Sequence, residues 1–299
     1  MNKELPGDYL DYPKRQYGQD HDRYDWKATP GTNEPHNNAQ PSIALIIPLE
    51  RFVLNPHGKP FKAPGSMITQ YPDLRHFSSR DYGNRIGAYR LLKVLSALKI
   101  SATFAINAEL LSSIQPLIDR IQADGHEIAA LGLDMDNIHW SGLDPESERQ
   151  WVEKTRILFS EAKLQPKTWM SPARQQSEIT LDLIAASGFD ACLDWEFDCA
   201  PKPMRTKNGT ITMVPNLNEL DDRKLLIEKT HSEQEWAAQL IEAATYSKTV
   251  STIHSPQSFA ISLTPYISGL PFRIRCVRDT LQQLKELVAF KTVQSVCKS

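Results

Sequence analysis

This sequence of 299 residues lacks any apolar run approaching the ~20 residues that a membrane-spanning helix needs. Its first 40 residues are polar and contain no apolar stretch typical of a secretory signal. It also lacks an excess of charge, because 34 Lys and Arg face 36 Asp and Glu. Nothing therefore favours nucleic acid or an anionic membrane as a partner, and we expect a cytoplasmic protein.

Cysteines are few, and none is arranged in a CxxC pair. The four are Cys192, Cys199, Cys276 and Cys297. They are typical of free thiols in a reducing compartment, with a Cys192–Cys199 disulfide as the alternative. The chain is 40% hydrophobic and 23% charged, which is ordinary for a globular protein with a sizeable core.

Residues 1–40 and the rest of the chain have different patterns. The first segment has no periodicity, and we predict an extended polar arm whose aromatic residues pack against the domain or a partner subunit. Those aromatic residues are Tyr9, Tyr12, Tyr17, Tyr24 and Trp26. From Ser42 onward, short apolar runs alternate with amphipathic stretches, which predicts β/α units with a parallel sheet. Because no composition break divides residues 41–299, we predict one α/β domain, a single (β/α) barrel of about seven units.

In such barrels, functional side chains lie on the loops that follow the strands. The predicted strand ends are Leu49–Glu50, Asn107, Leu131–Asp136, Met170–Arg174, Asp194–Asp198, Pro215–Asp222 and Thr264–Tyr266. The candidate site should therefore be assembled from these segments.

A series of sequence motifs follows one another along the chain, several of them at these strand ends. They are RDYGNRIGAYRLL from Arg80, GHEIAALG from Gly125, WMSP from Trp169, DWEFD from Asp194, MVPNLNELDD from Met213 and LTPYISGLPFRIR from Leu263. Together they resemble the polysaccharide deacetylase family (NodB-like, carbohydrate esterase 4), and most closely its allantoinase-like branch, over Ser42 to Ala289. The resemblance implies a distorted (β/α) barrel that hydrolyses non-peptide C–N bonds in N-acetyl sugars or cyclic ureides.

Carrying the family's residues across gives a mixed outcome. The acid after the first strand matches Glu50. Two metal-site histidines fall on Leu131 and Met135, and a late catalytic histidine falls on Thr264. The remaining correspondences place an Asp-Asp pair on Asp198 and Cys199, and an Asn-Asp pair on Asp221 and Asp222. The two catalytic histidine positions, Leu131 and Thr264, therefore hold residues that do not titrate near neutrality.

A bound metal is not expected. A hydrolytic zinc site needs three protein ligands, whereas Leu131 has no donor atom and the Met135 thioether suits zinc poorly. We therefore expect neither metal nor cofactor. A relocated site on Asp134, Asp136 and His139 stays open, although solvated acids in a polar loop are the favoured interpretation.

Glu50, Asp198 and Arg174 are the predicted catalytic residues. Glu50 could activate water as a general base, or pair with Arg51 or Arg85. Arg174 could stabilise an oxyanion. The predicted substrate-binding residues are Arg85, Trp169, Trp195, Asp221, Asp222 and Tyr266. Ion pairing, core packing and solvation are the structural alternatives for this second group.

Two hypotheses about function remain. One is a metal-independent hydrolase of a small cyclic amide, a ureide or an N-acyl sugar. The other is a catalytically silent member that binds a carbohydrate or ureide, or partners an active paralogue. A sugar deacetylase with relocated metal ligands is a more distant third. In each case the predicted ligand is a small molecule, and the chain could form a homo-oligomer.

Overall fold

The computed structural model describes residues 22–24, 40–57, 70–250 and 257–298. The predicted arm therefore lies outside the described residues, apart from 22–24 and residue 40. No helix in the described ranges combines the length and apolar character needed to cross a membrane.

One curled sheet of nine strands organises the described chain. Its strands are β1 (Ser42–Leu49), β2 (Thr103–Ile106), β3 (Glu127–Ala130), β4 (Thr168–Trp169), β5 (Ala191–Cys192), β6 (Lys202–Thr206), β7 (Gly209–Met213), β8 (Ser258–Ser262) and β9 (Ala289–Lys291). The order is β6-β7-β5-β4-β3-β2-β1-β8, and β9 pairs with β1. All these pairs are parallel except β6 with β7. A further bridge between Asn216 and Ala260 joins the segment after β7 to β8, which gives the predicted distorted barrel.

Helices follow most strands. They are α1 (Leu74–Tyr82), α2 (Ala88–Leu98), α3 (Gln115–Ala123), α4 (Pro145–Glu161), α5 (Thr180–Ala186), α6 (Glu233–Val250), α7 (Pro265–Ser268), α8 (Ile274–Leu287) and α9 (Val293–Val296). Two π-helical segments, Gly83–Gly87 and Arg223–Glu228, interrupt this pattern. Short 3₁₀ segments cover Ala108–Ser113, Pro172–Arg174 and Asn218–Leu220.

The local sequence explains why these elements form. All of β1 is buried, as its continuous apolar run predicts. Helix α2 buries Leu91, Leu92 and Leu95 on one stripe, and each such side chain contributes roughly 1.5–3 kcal/mol. Helix α4 begins at Pro145, after Asp144, whose carboxylate accepts a hydrogen bond from Ser147 N at 3.0 Å.

Strand β6 is absent from the sequence-based prediction. It forms an antiparallel hairpin with β7 through a turn at Lys207 and Asn208, and Gly209, the first residue of β7, has a φ of 108°. An Asn-Gly pair is a strong hairpin signal, so the sequence did contain the information needed to find this strand.

Residues 22–24 lie against the edge of this hairpin. The Arg205 backbone N donates to the Arg23 carbonyl at 2.8 Å, and Arg23 pairs with Asp182 at 2.6 Å. The Tyr24 ring lies 5.3 Å from that of Phe197. This part of the arm thus covers an otherwise open strand edge.

Candidate functional site

A cavity of about 170 Å³ opens at the carboxyl ends of the strands. Its apolar lining includes Pro48, Leu131 and Met170, while mainly neutral polar and ionisable side chains line the rest. The ionisable lining residues are Glu50, Arg174, Asp221, Arg223, Lys224 and Glu228. The cavity thus combines an apolar surface with several charges of both signs, as ligand sites commonly do.

Glu50 faces this cavity and is held by an arginine. Both of its carboxylate oxygens accept hydrogen bonds from Arg223 Nη2, at 2.8 and 2.7 Å, and Glu50 is only 6% exposed. The same nitrogen donates to the Tyr266 hydroxyl at 2.9 Å. The predicted ion pair of Glu50 exists, but its partner is Arg223 rather than Arg51 or Arg85. The carboxylate is therefore in the cavity yet not free to act alone.

Asp222 fixes the start of the segment that carries Arg223. Its carboxylate is fully buried and accepts bonds from Thr264 N at 2.7 Å, Thr264 Oγ1 at 2.9 Å and Ser268 Oγ at 2.5 Å. Burial raises its pKa to about 6. Asp222 thus has a structural role, because it joins the chain after β7 to the chain after β8.

Asp221 is placed differently, since it lines the cavity. One carboxylate oxygen accepts from Ser262 N at 2.8 Å, and the other lies 3.5 Å from Arg174 Nη2. Burial raises the pKa of Asp221 to about 7, although the nearby Arg174 opposes the shift. A carboxyl group that titrates near neutrality can exchange protons with a ligand.

Arg174 lines the cavity, as predicted, and is firmly held. Its Nη1 donates to the Asn216 carbonyl at 2.5 Å, and its Nη2 donates to Asn218 Oδ1 at 2.6 Å. Its φ is 54°, and that of Ala173 is 56°, a conformation that costs energy for residues other than glycine. Such local strain is common at functional sites.

The substituted family positions do not provide a metal-binding donor set. Leu131 contributes an apolar side chain to the cavity, and Met135 is buried against Phe52 and Tyr266. The Glu50 oxygens already bind a guanidinium. Zinc, which the family resemblance would imply, therefore does not fit these residues.

The relocated cluster does not converge on one point. Asp134 Oδ1 accepts backbone bonds from Asp136 and Asn137 at 2.9 Å, and Asp136 binds His57 N at 2.9 Å. His139 is buried and bonds Glu148 Oε1 at 2.9 Å. Within the described ranges, no group of three His, Cys, Asp or Glu residues could hold a metal ion.

Three further residues of the predicted site lie away from the cavity. Asp198 does not line the cavity; it accepts from Cys199 N at 2.6 Å and lies 3.9 Å from Lys202, because the chain turns away there toward β6. Cys199 is likewise exposed. The Arg85 side chain is 70% exposed and pairs with Asp81 at the surface.

The two tryptophans also lie elsewhere. Trp169 is fully buried within β4, and its Nε1 donates to Ser171 Oγ at 2.8 Å, so it supports the cavity wall from behind. Trp195 lines a separate surface pocket with Arg23 and Asp182. Tyr266 contacts the site through the hydrogen bond that its hydroxyl accepts from Arg223. The guanidinium carbon of Arg80 lies 5.0 Å from the centre of the Tyr266 ring. Burial raises the pKa of the Tyr266 hydroxyl.

The Arg80–Leu92 signature acts mainly through packing. A Cβ at Gly87 would lie 2.2 Å from the Pro265 carbonyl, and one at Gly83 would lie 2.6 Å from Tyr266 N. Asn84 Nδ2 donates to the Glu50 carbonyl at 2.8 Å. The signature therefore positions the segments that carry Glu50 and Tyr266.

Sequence reasoning missed Arg223. It is the residue directly after the MVPNLNELDD motif, in a segment to which the strand-end rule already applied. Its importance follows from the Glu50 contact, which only the fold reveals.

Comparisons with known proteins agree with this architecture. Residues 79–192 match the family model for polysaccharide deacetylase. No curated protein matches the chain significantly. Among solved structures, PuuE allantoinase superposes with a TM-score of 0.80 at 19% identity, covering 94% of this chain and 97% of that one. A probable polysaccharide deacetylase from Pseudomonas aeruginosa PAO1 gives 0.76 at 19% identity, covering 86% and 89%.

A family 4 carbohydrate esterase pseudoenzyme from Bacillus anthracis is also similar. It superposes with a TM-score of 0.52 at 12% identity, covering 88% of this chain and 66% of that one. A mutant of that pseudoenzyme is described as having restored enzymatic activity. At these identities the likeness establishes the fold.

Proposed function

We propose that this chain, which carries a polysaccharide deacetylase domain on an allantoinase-like fold, is a hydrolase. In this proposal it breaks a C–N bond of a small cyclic amide or ureide without a metal. The observation that carries the proposal is the Asp221 carboxyl group, which lies in the cavity wall beside Arg174. Its pKa of about 7, raised by burial, lets it gain and lose a proton near neutral pH.

The reaction needs one proton-transfer group and one water molecule. The Asp221 carboxylate takes a proton from water while the water oxygen forms a bond to the substrate carbonyl carbon. The carbonyl π electrons move to its oxygen, which gives a tetrahedral oxyanion. When this oxyanion collapses, the C–N bond breaks and Asp221 returns the proton to the departing nitrogen. The products are a carboxylic acid and an N–H group on the opened ring.

This scheme changes the role predicted for Glu50. Because both oxygens accept bonds from Arg223, Glu50 is better suited to hold that arginine than to activate water. Arg174 is held by Asn216 and Asn218 and sits 3.5 Å from Asp221. We assign Arg174 the task of positioning Asp221.

The cavity size favours a small ring over a sugar chain. A volume of about 170 Å³ is below the ~300–1,000 Å³ of pockets that enclose drug-sized ligands. The apolar contribution of Leu131 and Met170 suits the faces of a planar ring, and the surrounding charged groups suit its carbonyl and N–H groups.

The test is hydrolysis of allantoin, hydantoin, succinimide and N-acetylglucosamine by chelator-treated protein. We expect turnover of at least one cyclic substrate, and a loss in kcat/KM of at least about 100-fold in Asp221→Asn. Asp198→Asn is the matched control, since that exposed carboxylate lies outside the cavity and should leave kcat/KM unchanged. Absence of turnover by the wild type on every substrate would contradict the proposal.

The second candidate is a silent member of the family that only binds a ligand. The Glu50–Arg223 pair favours it, because it occupies the family's strand-one acid. The similarity to a pseudoenzyme with a reactivated mutant also supports it. In that case wild type binds hydantoin without turnover, and Leu131→His/Thr264→His creates activity. If the double variant binds hydantoin but stays inactive, the site differs from that of active relatives at more than these two positions.

A further inference from the structure

We infer that Arg223 is the group that stabilises the oxyanion, the task that a bound metal performs in metal-dependent hydrolases. The inference rests on the proposed function and names a catalytic residue for it. Its basis is the position of the guanidinium and the use of its hydrogen-bond donors.

The guanidinium occupies the place of a cation bound by Glu50. Arg223 Nη2 lies 2.8 and 2.7 Å from the two carboxylate oxygens, so a single positive centre bridges both. The neighbouring positions that would have to complete a metal shell, Leu131 and Met135, present apolar atoms or a buried thioether. The fixed charge is therefore supplied by the chain itself.

Arg223 retains donors that no described residue uses. Its hydrogen bonds to Glu50 and Tyr266 all come from Nη2. Its Nε is buried and has no hydrogen-bond partner among the described residues. Because Nε has almost no accessible surface, the donor that a ligand can reach is Nη1, which is not buried in this way and makes no hydrogen bond to a described residue. Arg223 lines the cavity, where a carbonyl oxygen can accept a hydrogen bond from this nitrogen.

The other cations that line the cavity are less suitable. Both terminal nitrogens of Arg174 already donate to Asn216 and Asn218. Lys224 Nζ donates to Glu228 at 2.6 Å. Each of these groups is anchored at the nitrogens that would have to donate, whereas Arg223 keeps a whole terminal nitrogen, Nη1, without a hydrogen-bond partner among the described residues.

Binding measurements separate this role from a structural one. We expect the affinity of Arg223→Met for neutral hydantoin to lie within about threefold of that of wild type. Its affinity for methylphosphonate, a tetrahedral anion, should be at least about thirtyfold lower, which corresponds to the loss of one strong charge-assisted hydrogen bond. Arg85→Met, which alters an exposed arginine, is the control and should change neither affinity. The double variant Glu50→Gln/Arg223→Met repeats the comparison without leaving an unpaired carboxylate, in case the single variant does not fold.

The outcomes distinguish the two proposals. If wild type opens hydantoin and Arg223→Met keeps the methylphosphonate affinity, the role of Arg223 is overturned and the proposed function stands. Equal losses for both probes, in the single and the double variant, would also overturn it, because they indicate a general change of pocket shape. If wild type binds neither probe, the role of Arg223 is overturned, while the proposed function is decided separately by turnover of the four substrates.

Discussion

Removing Arg223 should destabilise the fold far more than removing an exposed arginine. The Glu50 side chain is 5% exposed and that of Arg223 is 19% exposed, so Arg223→Met leaves a carboxylate buried without its partner. Breaking a buried pair from one side costs about 3–5 kcal/mol. Because domains have a free energy of unfolding of about 5–15 kcal/mol, this is a large part of the total.

The assay is urea unfolding at pH 7 of wild type and four variants, namely Arg223→Met, Glu50→Gln, their double variant and Arg85→Met. Arg223→Met should lower the free energy of unfolding by about 3 kcal/mol or more. Arg85→Met, which removes a surface pair with Asp81, should lower it by about 1 kcal/mol or less. Glu50→Gln/Arg223→Met should be more stable than Arg223→Met alone, since no unpaired charge remains.

Two results would refute this reasoning. The first is an Arg223→Met variant that unfolds with a free energy within about 1 kcal/mol of Arg85→Met. The second is a double variant whose loss equals the sum of the two single losses, because additivity means that the residues do not interact.

Three other predictions concern the acid, the signature and the arm. The folded-state pKa of Asp221 is raised to about 7 from an ordinary 3.8. Its contribution to stability is therefore complete at low pH and declines as the pH rises from about 4 to about 7, by at most about 1.4 kcal/mol per pH unit. Asp221→Asn should flatten the dependence of the unfolding free energy on pH, and an unchanged slope would contradict the assignment. In Gly87→Ala, the added Cβ would meet the Pro265 carbonyl at 2.2 Å, and we expect a loss of about 1–3 kcal/mol in urea unfolding. Lys93→Ala, on the exposed side of the adjoining helix α2, should cost little. Equal effects of the two substitutions would contradict the packing role. Arg23→Met removes the ion pair with Asp182, and it should speed chymotrypsin cleavage after Tyr24 by about tenfold with little change in the urea midpoint. An unchanged cleavage rate would show that this ion pair does not hold the arm against the domain.

The fold followed from local patterns, because each predicted strand is a short apolar run between helical stretches. The strand-end rule also correctly brought Glu50, Arg174, Asp221 and Thr264 around one cavity. These predictions succeeded because parallel strands deliver all their carboxyl ends to one face of a barrel.

The failures came from features that depend on long-range geometry. Asp198 follows a strand end, but the β6–β7 hairpin carries it outward. Trp169 lies inside its strand and faces the core. Arg223 is 173 positions from Glu50 in sequence, so no local pattern could pair them.

The central claim, that a cavity carboxyl group drives metal-free hydrolysis, is tested most directly by the pH dependence of kcat/KM for a cyclic ureide in chelator. The account predicts a rise with a midpoint near the Asp221 pKa of about 7, followed by a plateau, with added zinc having no effect. A flat profile, or activity that appears only when zinc is added, would contradict it.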